Sequence, residues 1–307
     1  MGILGSTLEQ GLIFAIMAMG VLITYRILDF PDLSVDGTFP LGAAVNAVLI
    51  LHGVNPVLAL MCAFLAGMLA GLCTGLIHVK LKVRDLFSGI IMMTALYAVN
   101  MHIAAGSFAF GKANVPFFSN MKVKYATIFE NNPLVDAFPV WLKPYTVLLI
   151  SLVVVVVVKI LLDLFLQTRA GFALRAVGDN DRVVTSLARN KGTIKIVGLM
   201  LANGLVALSG GVLCQQQHMF EVSMGTGAIA MALASVIIGM NCFGKFSFIK
   251  ATTAVIFGSI IYKTCISLAI LAGVPASDMK LITALLFLVI LAFSGKAKKG
   301  GKRHARA

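Results

Sequence analysis

The feature that most constrains this chain is a succession of apolar runs, each close to the length needed to cross a lipid bilayer. A hydrocarbon core of about 30 Å takes roughly 20 apolar residues as helix, the one local structure that satisfies its own backbone hydrogen bonds in lipid. Runs of this kind, cut at charged or turn-forming clusters, fall at 8–28, 35–52, 56–79, 86–105, 144–166, 193–214, 226–243, 247–271 and 279–294 of the 307 residues. The spacing predicts an all-α polytopic membrane protein with about nine segments, within a range of roughly eight to ten. Charged residues make up only 12% of the chain, against about a quarter in soluble domains, which excludes a water-soluble enzyme.

Two segments carry helix-interrupting residues. The second opens with Pro31, Gly37, Pro40 and Gly42, and the seventh holds Gly225, Gly227 and Gly239, so both are candidates for broken or re-entrant helices. Gly67, Gly71 and Gly75 recur every fourth residue on one face of the third segment, a spacing that lets another helix approach closely. The first run has no basic residue before it and reads as an uncleaved span.

The net charge of +13 is a topology signal rather than a nucleic-acid signal. With the amino terminus outside, 19 of the 25 lysines and arginines face the cytoplasm and 5 face outward, leaving Lys263 inside a span. The expected orientation is therefore N-out and C-in. Residues 1–295 then form one membrane domain, and residues 296–307 form a basic cytoplasmic tail suited to anionic lipid.

Little in the chain supports covalent chemistry. The five cysteines form no CxxC pair and the five histidines no metal-ligand spacing, so neither a metal site nor a disulfide is expected. Glu9, Asp163, Glu221 and Asp278 fall near span ends, while Asp29, Asp32, Asp36 and Asp85 fall at the inner mouth. No carboxylate is thus expected at the membrane centre, and a proton-driven carrier is not supported. Asn46, Met92, Thr94, Tyr97, Asn100 and Asn203 are the uncharged polar and thioether side chains that lipid has no use for. They are candidates both for the translocation pathway and for hydrogen bonds between helices. Lys263 fits either a polar cavity or structural satisfaction by a neighbouring group.

Two connections exceed simple turns. The outer one, 106–143, is rich in aromatic residues and fits an interfacial belt or a docking surface for an external partner. The inner one, 168–190, holds a turn signal at Gly178, Asp179 and Asn180 and a short amphipathic helix pattern after Asp181. Such a helix fits a lipid-surface element or a lever for a soluble motor.

The inner connection resembles a known family. Gly171-x3-Arg175-Ala-x-Gly178-x-Asn180 is similar to the cytoplasmic coupling motif of ABC importer permeases of the branched-chain amino acid and simple-sugar class. Similarity continues at Ala207-x2-Gly210-x-Val212-Leu213, at Val236 to Gly239 and at Phe243-Gly244. The stretches Phe30 to Val45, Ser88 to Tyr97 and Gly111 to Pro116 resemble the branch associated with tryptophan- and tyrosine-type binding proteins.

That resemblance implies a permease of two copies in a bacterial cytoplasmic membrane, served by two cytoplasmic ATPase subunits and an extracytoplasmic solute-binding protein. ATP and Mg would be bound by the ATPase, with no cofactor and no catalytic residue in this chain. Gly171, Arg175, Gly178, Asp179 and Asn180 would contact the ATPase, and the solute would be a small amino acid or amino-acid-like compound, aromatic ones included. A stand-alone, sodium-coupled secondary transporter is the alternative that the residues leave open, because backbone carbonyls binding sodium leave no carboxylate signature.

Overall fold

A computed structural model of the protein describes residues 3–107, 114–116, 127–130, 143–179, 191–244, 246, 249–275, 278 and 281–290. The helices are α1 (Ile3–Val21), α2 (Val35–Leu51), α3 (Pro56–Lys80), α4 (Asp85–Ser107), α5 (Thr146–Gln167), α6 (Arg169–Asp179), α7 (Lys191–Gln217), α8 (Ala228–Phe243), α9 (Ala251–Leu271) and α10 (residues 281–290). A π-helical turn, Leu22–Ile27, extends α1. Each of the nine apolar runs has a helix. Among the described residues seven helical segments are long and apolar enough to cross a membrane, while α2 and α10 are shorter.

Local chemistry sets several boundaries. Pro56 begins α3 where its missing N–H costs nothing, and the Asn55 side chain accepts the Val57 N–H at 2.9 Å. The run from Val153 to Val158 is helical in α5 although β-branched residues favour strands, as expected where lipid offers the backbone no other partner. Thr168 adopts an extended backbone and its Oγ1 accepts the Gly171 N–H at 3.3 Å, so α5 stops there and α6 starts in a new direction.

Helices α1 and α7 form the centre of the body. α7 runs antiparallel to α3 and α1, and α2 runs alongside it in the same direction. The α3–α7 contact is close because Gly67 and Gly71 leave no side chain in the way; a methyl at either would strike the Asn203 or Leu199 carbonyl. α8 and α9 pair through Gly239 and Gly258 in the same manner, and α9 lies along α1. A two-stranded antiparallel ribbon joins β1 (Asn114–Pro116) to β2 (Met219–Glu221), tying the outer connection to the end of α7. Most of 106–143 and all of 296–307 lie outside the described residues.

Pro40 sits inside α2, and the chain before that helix is not regular. Ser34 and Thr38, at its start, both donate to Asn203, the thirteenth residue of α7 and so about 18 Å along that helix by its rise of 1.5 Å per residue. α2 therefore begins at mid-height of the body, and residues 28–34 carry the chain there from the end of the π turn. The second segment itself is one continuous helix, shorter than a full span and unbroken at Gly37, Pro40 or Gly42, and the irregular stretch precedes it.

Candidate translocation path and coupling surface

The start of α2 gathers the polar side chains of the interior. Asp32 is 2% exposed. Its Oδ2 accepts the Asn203 amide at 2.7 Å and its Oδ1 accepts the Ser34 N–H at 2.9 Å. Asn203 Oδ1 in turn accepts the Thr38 hydroxyl at 2.8 Å and the Ser34 hydroxyl at 3.1 Å. Each hydrogen-bonding group closes on another, so the network pins the irregular stretch against α7. One turn on, Asp36 accepts the N–H groups of Gly227 at 3.1 Å and Ile229 at 2.8 Å, at the start of α8. A carboxylate there favours the helix amino terminus, so two short helices meet end to end through Asp36. Gly225 allows the preceding turn to lie on the Asp36 carbonyl and the Pro40 ring.

These positions correct the expectation that Asp32 and Asp36 lie at the inner mouth and that no carboxylate is buried at depth. Counting residues from the last span placed them near the surface, whereas the backbone folds back into the body before helix begins. The Asp-Gly pair at 36–37, inside an apolar run, was the signal available in the sequence.

α4 presents the other candidate surface. Asn100 is buried, with Nδ2 donating to the Gly37 carbonyl at 3.0 Å and Oδ1 unpaired among the described residues. Thr94 is exposed and returns its hydroxyl to the Ile90 carbonyl at 2.9 Å. Tyr97, at mid-length of α4, is 60% exposed, and Met92 is half-buried. α5 is equally bare, yet its outward residues, including Val153, Val157, Leu161 and Leu164, are hydrocarbon. Lipid suits the α5 face; on α4 the Tyr97 phenol stands among exposed hydrocarbon such as Ile90, Ile91 and Val99, and the Thr94 hydroxyl is already paired.

Asn46 is fully buried between α2 and α7, and its amide has no hydrogen-bond partner among the described residues. It does not join the Asn203 network. Between α3, α5 and α7 lies a cavity of about 1010 Å³ lined by residues such as Phe64, Leu205 and Val154. Its lining side chains are all apolar and offer a polar solute no hydrogen bond.

Lys263 sits midway along α9 and is 9% exposed. Its Nζ lies 3.7 Å from the centre of the Phe14 ring, and Phe14 stacks on Phe39 at 5.8 Å. The cation turns into the protein, over an aromatic face, and away from lipid.

α6 shows two faces. Gly171, Leu174 and Val177 are buried; Gly171 lies on Leu166 and Gly178 on the Ile27 carbonyl, so close that a β-carbon at either would overlap backbone. Arg169, Phe172 and Arg175 are exposed. Gly171 and Gly178 thus contact the chain's own spans, while Arg175 faces outward beside Phe172, which the motif did not single out. Asp179 ends α6, and Asn180 lies outside the described residues.

The comparisons bear on this arrangement. A family model described as the permease component of branched-chain amino acid transport systems matches residues 3–291. The chain is 44% identical over 287 residues to a tyrosine transport system permease protein of Clostridioides difficile (strain R20291), covering 94% of this chain and 90% of that protein. It is 28% identical over 235 residues to the ribose import permease of Escherichia coli (strain K12), covering 76% and 67%. With a probable branched-chain amino acid transport permease of Methanocaldococcus jannaschii it shares 25% over 240 residues, covering 76% and 74%. No solved structure matches. Apolar spans, helices that start in the interior and a match over nearly the whole length agree: this is a multi-pass plasma-membrane transport subunit, and it belongs to the family of branched-chain amino acid transport permease components.

Proposed function

We propose that this chain is the membrane subunit of an ATP-driven importer for an amino-acid-like solute, working by alternating access. The observation that carries the reading is α6, whose glycine-bearing face is seated on α5 and the end of α1 while Arg169, Phe172 and Arg175 stand bare. A lipid-surface helix would turn its apolar face to the membrane; α6 turns it to the protein and leaves Phe172 with two arginines for a partner. In this reading a cytoplasmic ATPase pair docks there, and its nucleotide-dependent closure shifts the permease between two states. Arg175 supplies a planar fork of donors suited to carboxylates or carbonyls on the ATPase.

The solute class follows the relative named as a tyrosine transport permease. In the proposal the bare α4 face, with Met92, Thr94 and Tyr97, meets the same face of a second copy and lines the path with it, Asn100 and Asn203 fixing the helices behind. An extracytoplasmic binding protein delivers solute at the side of the β1–β2 ribbon. Lys263 stands apart from this path and serves the α1–α9 contact.

The test uses complexes of permease, ATPase and binding protein in proteoliposomes. Arg175→Ala should lower solute-stimulated ATP hydrolysis and uptake together while the permease assembles normally. Unchanged stimulation would remove α6 as the docking element.

A further inference from the structure

The inner end of α5 holds a buried carboxylate that the proposed path and docking surface do not use. Asp163 is 9% exposed and lies four residues before the end of α5. Its Oδ1 accepts the Thr252 hydroxyl at 2.7 Å, and its Oδ2 pairs with Lys159 at 3.1 Å and with Lys250 at 3.2 Å. Lys159 belongs to α5 itself. Thr252 and Lys250 belong to the first turn and cap of α9, so one carboxylate spans two helices.

The span matters because of what each helix carries. α5 continues through Thr168 into α6, and Gly171 seated on Leu166 leaves no slack between them. α9 is pressed onto α8 through Gly239 and Gly258, where an added methyl would overlap backbone. The far end of α8 is held by Asp36 at the start of α2, beside the α4 face. Contact between α5 and α9 is otherwise short, since α5 packs mainly on α1 and α6. If the two helices slid apart, Asp163 would keep Lys159 and lose both donors from the α9 side; Lys250 is half exposed and contributes little, so the buried Thr252 hydrogen bond carries most of the resistance to shear at this point.

We infer that Asp163 is a positioning residue that makes the inner ends of α5 and α9 move as one body, so that displacement of α6 reaches the α8–α2 junction. The inference rests on the importer reading. A carboxylate meeting two donors on another helix has bonded and unbonded states with little between, which suits a link that must carry a stroke without bending.

The test is a pair of distance measurements by spin labelling in the reconstituted complex, in a background without the five native cysteines. Labels at Leu164 and Phe257, both exposed, report the α5–α9 separation; labels at Leu81 and Leu164 report movement of α5 against the end of α3. On adding a non-hydrolysable ATP analogue, the Leu81–Leu164 distance should change and the Leu164–Phe257 distance should stay fixed. In Asp163→Ala the Leu164–Phe257 distribution should broaden and uptake should fall about tenfold while ATP hydrolysis continues, with partial recovery in Asp163→Glu. A Leu164–Phe257 distance that changes with nucleotide in the unsubstituted protein overturns the inference, as does full uptake by Asp163→Ala. If Asp163→Ala does not assemble, the unsubstituted distances decide alone. A complex in which neither distance responds to nucleotide contradicts the importer reading instead, so the two failures are distinct.

Discussion

At the scale of single residues, the interior is decided by where each polar group finds a partner. Asn203 satisfies three neighbours at once: it donates to Asp32 and accepts from Ser34 and Thr38. Asn203→Leu leaves a buried carboxylate and two hydroxyls without that partner, and the expected loss is about 3 kcal/mol or more, read as a lower midpoint of thermal unfolding in detergent. Asn46 has no partner to lose among the described residues, so Asn46→Leu should be neutral or stabilising in the same assay. Lys263 and Phe14 form a pair that a double-mutant cycle isolates. Phe14→Leu should cost more with Lys263 present than in Lys263→Met, the difference being about 1–2 kcal/mol for a desolvated cation over a ring. Lys263→Met should leave uptake unchanged, because the ammonium faces α1. These partners were not legible in the sequence. Asn203 and Lys263 stand out there as polar groups among apolar ones, but whether Asn203 meets solute or Asp32 depends on residues 171 positions apart in the chain. Asp32 itself was misplaced because depth was counted along the chain.

Among the elements, the sequence was most informative where lipid leaves the backbone one choice. Nine apolar runs became helices because nothing else satisfies their backbone groups, and Pro40 with Gly225 and Gly227 marked the two segments whose starts meet at Asp36. The glycine stripe of α3 was legible as a packing face, although its partner, α7, was not. α6 shows the opposite case. Gly178 and Asp179, expected as turn residues, are the last two residues of α6, which has Leu174 and Val177 as its buried stripe, while the helix expected after Asp181 lies outside the described residues. Its period was readable at Gly171, Leu174 and Val177, but the resemblance drew attention to motif positions rather than to the bare face. Two substitutions separate packing from docking. Gly178→Val collides with the Ile27 carbonyl and should reduce the yield of folded permease, whereas Arg175→Ala should not; comparing size-exclusion profiles with stimulated ATP hydrolysis distinguishes them.

For the whole molecule, the distribution of charge predicts sidedness. Single cysteines replacing Glu130 and Phe172, in a background without the native five, should react with an impermeant thiol reagent from outside and from inside respectively. Labelling of position 130 from the cytoplasm would reverse the orientation and move α6 away from any cytosolic motor. The central claim is that solute moves only when a separate ATPase acts on α6. Proteoliposomes holding the permease with its ATPase and binding protein should take up labelled tyrosine or a related amino acid when ATP is enclosed on the α6 side. Vesicles with the permease alone should show no uptake under either a sodium or a proton gradient. Uptake by the permease alone, driven by sodium, would contradict the account and make the chain a secondary carrier.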